Sequence, residues 1–239
     1  MIKVFAIYPI DKSNSTKFIN RINTFEMRNL GDEWHCYKIH FYDEDHADCL
    51  AASKTSRFVF FMGHGGESKL CGSCGGKGEL NVAPIVRKEN PDYYIKESFI
   101  DVSNISEFKG QIFFCFSCNS NRNNARSLGR AAIEEGVLAF VGFGDMPTDY
   151  VEGVNFSKRS IAIYKGLIIK IIKHAVCLAT EKNMSVDSLV RVIHILTTKE
   201  IQSLLMAKNC ILHKGSIINK LVEFKNEIRI FGDRYATIY

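Results

Sequence analysis

Two short runs in this chain contain no polar side chain at all: Phe58-Val-Phe-Phe-Met62 and Ile112-Phe-Phe-Cys-Phe116. A strand with one wet face alternates apolar and polar residues, so a run without alternation predicts a strand buried on both faces, as in a parallel sheet covered by helices. The flanking segments agree. Val4 to Tyr8 reads as a first strand, Ser15 to Met27 as a helix, Trp34 to Tyr42 as an alternating second strand and His46 to Ser53 as a short helix. After the second apolar run, a helix over Asn123 to Glu135 is expected to break at Gly136 before a strand from Val137 to Val141. Helices near Ser157 to Thr180, Val186 to Lys208 and Ile217 to Phe224 precede a closing strand at Ile228 to Phe231. Alternation of strands with helices predicts an α/β fold, with a mostly parallel sheet between two helical layers and an added helical region over 156–225. At 239 residues, 46% of them hydrophobic, the chain is long enough for one full core, so a single domain over 1–239 is expected. The stretch 65–100 is rich in Gly, Lys and polar residues and is expected to be an inserted surface loop, a kind of segment that commonly carries function.

Charge and hydropathy remove several classes. Thirty-one basic residues against 26 acidic ones give a formal +5, spread without a cluster, so no nucleic-acid partner is expected. The most apolar later stretch, Ile161 to Ala179, is interrupted by Lys165, Lys170, Lys173 and His174, so no run reaches the ~20 apolar residues that span a bilayer, and no membrane partner is expected. The opening residues are too short and too interrupted for a signal segment and read as the first strand. Eight cysteines without an export signal point to a reducing, cytoplasmic setting, where thiols serve as nucleophiles, metal ligands or small core residues.

Both apolar runs end in reactive residues. Phe58 to Met62 runs into Gly63-His64-Gly65-Gly66, and Ile112 to Phe116 runs into Ser117-Cys118-Asn119-Ser120. Parallel strands end on the same edge, so adjacent placement brings an imidazole and a thiol together. An imidazole near a thiol can stabilise the thiolate and later protonate a leaving amine, which is the chemistry of nucleophilic acyl transfer. Glycines beside His64 allow the amide of Gly65 or Gly66 to point at a developing oxyanion, together with the amide of Cys118. The expected helix after Cys118 would add its N-terminal dipole. Taken singly, a strand-end His is a packing residue and a lone Cys a small buried hydrophobe. Their joint placement on two central strands favours catalysis.

These residues resemble the caspase-like cysteine peptidases of clan CD, and within them the CHAT peptidases, relatives of separase and the gingipains. Phe58 to Gly65 is similar to the family's strand ending in His-Gly, and Phe113-Phe-Cys-Phe-Ser-Cys118-Asn-Ser to its strand ending in a small residue, Cys, any residue and Ser. The 54 positions between His64 and Cys118 agree with the roughly 50 between His and Cys in caspases. Ala131 to Asp149, with Val141-Gly-Phe-Gly-Asp145-Met-Pro-Thr-Asp149, resembles the family's helix, Gly, strand and Pro-containing loop. Arg229-Ile-Phe-Gly232-Asp233 resembles its Gly-Asp-Pro close, with Arg234 in place of the proline. The resemblance implies a caspase-like three-layer α/β/α sandwich and peptide-bond hydrolysis by a Cys-His dyad without metal or other cofactor. It also implies a protein or peptide substrate and regulation by a protein partner or by proteolysis, in a group whose roles include bacterial defence and programmed death.

Asp145 and Asp149 follow the strand expected beside Cys118, where a carboxylate can pair with a Lys or Arg preceding the scissile bond; the competing reading is a solvated loop carboxylate or a helix N-cap. Three other classes stand against the peptidase. Cys71-Gly-Ser-Cys74 has zinc-knuckle spacing and would need Cys115 and Cys118, or His46 or Cys49, to complete a site. Cys115 and Cys118 also have the spacing of a redox dithiol. A catalytically silent caspase-like interaction module is the third. His174 and His194 fall on helical faces with apolar neighbours and are expected to be packed or solvent-edge residues, and the stripe from Ile161 through Ile172 to be core.

Overall fold

Strands without a polar face need cover on both sides, and the computed structural model of the chain, which describes residues 2–10, 16–40, 43–74, 96–147, 156–207 and 213–239, provides it. Six strands form one sheet in the order β2-β1-β3-β6-β7-β8. They are β1 (Val4–Pro9), β2 (Trp34–Ile39), β3 (Phe58–Met62), β6 (Ile112–Phe116), β7 (Ala139–Gly142) and β8 (Arg229–Gly232). The pairings β1–β2, β1–β3, β3–β6 and β6–β7 are parallel, and β8 closes the edge antiparallel to β7. The helices are α1 (Asn20–Leu30), α2 (Asp43–Ser53), α3 (Leu128–Glu134), α4 (Lys158–Glu181), α5 (Val186–Met206) and α6 (Lys214–Asn226). Among the described residues, no helix is long and apolar enough to cross a membrane.

The period of two along each strand divides the core into two layers. Phe58, Phe60, Met62, Ile112, Phe114 and Phe116 face the layer that α1, α4, α5 and α6 cover. Val59, Phe61, Phe113 and Cys115 face the other, which α2, α3 and Ile105–Phe108 cover. Aromatic rings tie the strands together across each face. On the first, Phe60 meets Phe114 edge-on at 5.1 Å, and Phe114 meets Phe143 at 5.3 Å. On the second, Phe113 stacks on Phe140 at 5.5 Å. Each such pair is worth about 0.5–1.5 kcal/mol beyond its buried area, so the rings fix the spacing of β3, β6 and β7 as well as filling it.

The expected loop over 65–100 contains regular structure. β4 (Lys69–Cys74) and β5 (Lys96–Asp101) pair as a separate antiparallel ribbon, with register shifts on either side of Cys71. Leu70, Phe99 and Ile100 from this ribbon are buried in the second core layer. The glycine-rich, irregular composition hid the ribbon, because period-two alternation is broken at the shifts.

Candidate active site

Register decides where the two candidate residues emerge. β3 pairs with β6 so that Phe58 lies opposite Ile112 and Met62 opposite Phe116, a constant offset of 54 positions. His64 and Cys118 are separated by the same 54 and leave their strands at the same step. The ladder continues one residue past the strands, where the Gly63 N–H donates to the Phe116 carbonyl at 3.4 Å. Both residues also share parity with Phe60 and Phe114, so both side chains fall on the face covered by α1 and α4. Each is half-buried.

They line one narrow cavity of about 20 Å³, room for about one water. Its walls are Thr16, Phe18 and Ile19 from the segment after β1, Met146 after β7, and Ile168 of α4. β1 sends one connection to β2 on one side of the sheet, and the chain returns to β3 on the other. The cavity therefore sits near the point where strand order reverses, the usual ligand position in open α/β sheets.

A tight elbow holds Cys118. Asn119 adopts φ 56°, a left-handed conformation that Asn tolerates better than most side chains. The Asn119 N–H donates to the Gly144 carbonyl at 3.0 Å and the Asn121 N–H to that of Phe143 at 3.1 Å. The fully buried Ser120 hydroxyl accepts from the Phe143 N–H at 2.9 Å and lies 2.9 Å from the Ser117 carbonyl, to which it donates. Gly142 lets the Ser120 carbonyl come this close, since a β-carbon there would strike it. The Cys118 thiol donates to the Met146 carbonyl at 3.4 Å, which orients the sulfur toward the cavity wall.

A hairpin turn holds His64. Its carbonyl accepts from the Cys71 N–H at 2.9 Å, and the Gly66 N–H donates to Lys69 at 2.9 Å. The Gly66 amide is thus committed, while the bridge between Gly65 and Leu70 turns the Gly65 N–H away from the hairpin. Gly65 packs tightly on the elbow: an added β-carbon would lie 2.5 Å from the Ser117 hydroxyl and 2.7 Å from Leu70. Glycine is required here by close approach, which ties the His64 turn to the Cys118 elbow.

One expectation changes. α3 begins at Leu128 and not at Asn123, so no helix dipole acts on Cys118; the intervening residues form the elbow and an Asx turn in which the Arg126 N–H donates to Asn124. Asp145 is exposed beside the elbow, and its N–H donates to the Glu227 carboxylate at 3.2 Å. Asp149 lies outside the described residues. Glu227 escaped the sequence reading, because it is 109 positions from Cys118 and carries no motif; its carbonyl also accepts from the Asn121 side chain at 2.7 Å.

The other described cysteines lie outside this cavity. Cys115 is fully buried in the opposite core layer, and burial pushes its thiol up to about 12. Burial likewise pushes Cys36 and Cys177 up to about 12 and raises Cys49 further. Such thiols stay protonated at neutral pH and are poor nucleophiles. Cys115 and Cys118 face different layers, which does not suit an exposed dithiol. Cys71 is buried, the His46 ring packs against Gly72, and of Cys74 only the backbone is described. Among the described residues, no three His, Cys, Asp or Glu side chains gather as a metal site. His174 is exposed with its ring edge-on to Phe25 at 5.1 Å, and His194 is half-buried.

No protein-family model matches the chain, and no curated protein matches it. A functional reading rests on the residues alone.

Proposed function

We propose that this chain is a cysteine endopeptidase of caspase-like fold, with Cys118 as nucleophile and His64 as the group that moves protons. The observation that carries the reading is the shared register: an imidazole and a thiol leave adjacent parallel strands at the same step, on the same face, into one cavity. The strand order, with five parallel strands and an antiparallel edge, is compatible with a caspase-like sandwich.

In this reading His64 takes the Cys118 proton and the sulfur attacks the carbonyl carbon of the scissile bond. The carbonyl electrons become an oxyanion, held by the Gly65 and Cys118 amides. Collapse of this intermediate breaks the C–N bond, and His64 protonates the leaving amine. Water, deprotonated by His64, then attacks the thioester, releasing a carboxylate and restoring the thiol. The Gly65–Ser117 contact keeps the oxyanion donor and the nucleophile in fixed relation. Asp145, with Glu227 beside it, presents negative charge next to the elbow and favours a substrate with Lys or Arg before the scissile bond. The setting is cytoplasmic, with a regulatory protein partner and a role in defence or programmed death.

Cys118→Ala and His64→Ala should each lower kcat/KM on a cleaved peptide by at least about 10³-fold while circular dichroism stays native. Substantial turnover in either variant rejects the dyad. A peptidyl acyloxymethyl ketone should label the wild type at Cys118 and leave Cys118→Ala unlabelled.

A further inference from the structure

A roomier concavity lies away from this cavity. It is a groove of about 620 Å³ between the outer edge of β8 and the first turns of α5. Its size is typical of small-molecule sites, and its lining is strongly biased in charge. Arg191, Arg229 and Arg234 supply three guanidinium groups, and Asp187 the single carboxylate. Asp187, a largely buried residue, pairs with Arg191 at 2.7 Å and with Arg234 through Nε at 3.0 Å. Arg229 has no carboxylate partner among the described residues; its guanidinium lies 6.0 Å from the Phe231 ring. His194 also lines the groove. Burial, helped by the nearby Lys225 charge, lowers its pKa, so near neutral pH it adds no cation.

The edge strand adds donors. The Asp233 N–H donates to the Leu138 carbonyl, and Gly232 lies opposite Ala139. Ladder alternation then directs the N–H groups of Gly232 and Ile230 outward, and both residues line the groove. One wall is apolar, formed by Val190, Ile228 and Ile230.

We propose that this groove binds a small phosphate monoester, with Arg191, Arg229 and Arg234 holding the phosphate and the apolar wall holding its organic part. Three guanidiniums against one carboxylate leave a formal +2, which a phosphate monoester of about −1.5 to −2 neutralises at pH 7. Planar guanidiniums and strand amides match the oxygens of phosphate in geometry as well as in charge. The apolar wall favours an ester over the bare ion. The groove's concavity and volume favour a small molecule over a flat macromolecular surface. This inference is independent of the catalytic reading.

The test is calorimetric titration of the full chain with inorganic phosphate and with phenyl phosphate, at constant ionic strength set by potassium chloride. Saturable 1:1 binding is expected, with phenyl phosphate about tenfold tighter than phosphate. Arg229→Ala should weaken both by about tenfold or more, and Arg229→Lys should restore part of the loss. Because Arg229 is exposed and without a charged partner, its replacement leaves the fold intact. Heat that follows ionic strength alone, or affinity unchanged in Arg229→Ala, overturns the site. Equal affinity for the two ligands overturns the role of the apolar wall.

Discussion

The cavity at His64 and Cys118 and the groove along β8 differ in opposite ways. The cavity beneath His64 and Cys118 has reactive groups and almost no room, about 20 Å³, and its walls are mainly apolar. The groove along β8 has room, about 620 Å³, and strong charge, but no nucleophile. Volume and reactive side chains are therefore found in different places. The sheet explains the contrast. Parallel strands β3 and β6 end together under the cover of α1 and α4, so whatever they present is enclosed. β8 is the edge strand, four residues long, and only part of its outer side is covered. A narrow cavity suits desolvated covalent chemistry, in which a substrate backbone passes across the rim; an open basic groove suits reversible capture of an anion.

Separate variants should break the two regions apart. Cys118→Ala is expected to abolish peptide turnover, by at least about 10³-fold, while phenyl phosphate still binds. Arg229→Ala is expected to lose binding while Cys118 is labelled as in the wild type. If Cys118→Ala also lost phosphate binding with its fold intact, the two regions would be one site and the contrast would fail.

The packing between α1 and α4 holds a buried acid. Glu26 of α1 is fully buried against α4, and burial pushes its carboxyl up to about 8 from an ordinary 4.5. With the folded value raised, this group's contribution is intact below about pH 4.5. It is lost progressively as pH rises toward 8, where the buried carboxylate ionises, and is level above that. The size is on the order of a few kcal/mol. Glu26→Gln should therefore stabilise the protein at pH 8.5 and flatten the decline between pH 5 and 8, measured by urea unfolding. A variant with the wild-type pH slope would show that Glu26 is ionised in the fold at neutral pH.

How much of this was legible in the sequence depends on the range of the interaction involved. β3 and β6 were readable to the residue, since five apolar positions in a row leave no other solution for a short buried strand. The edge-sharing of His64 and Cys118 followed from two such strands, and the matching offset of 54 was already visible once pairing was assumed. α3 was expected five residues early, because Asn123 to Ser127 have no helix-breaking Gly or Pro; Ser127, which accepts from the Arg130 N–H, is the true N-cap. The β4–β5 ribbon and Glu227 were illegible for different reasons. One has broken alternation, and the other acts through a contact 82 positions away.

Ser120 offers a smaller effect on the elbow. Its hydroxyl is the partner of the Phe143 N–H, and Ser120→Ala would leave that buried amide unpaired. The expected cost is about 1–3 kcal/mol in stability, read from the denaturant midpoint. Because Ser120 acts on Cys118 only through the backbone, turnover should fall mainly in kcat, with KM little changed. A variant of unaltered stability and kcat would mean that the elbow is held by the Asn119 and Asn121 amides alone.

The smallest effect concerns specificity, and the contrast in volume sets its size. A cavity with room for one water cannot enclose a Lys or Arg side chain, so any recognition of a basic residue must occur on the rim, where Asp145 and Glu227 are exposed. Exposed ion pairs contribute only about 0–1 kcal/mol, because solvent screens them. Asp145→Asn should accordingly reduce kcat/KM for peptides with Lys or Arg before the scissile bond by about fivefold or less, leave peptides with Ala there unchanged, and lose its effect at ~0.5 M salt. A much larger loss confined to basic peptides would require an enclosed, poorly solvated carboxylate, and therefore a cavity that opens well beyond its present volume when substrate binds. An equal loss for both peptides would mean that Asp145 positions the elbow through its N–H to Glu227 rather than reading the substrate.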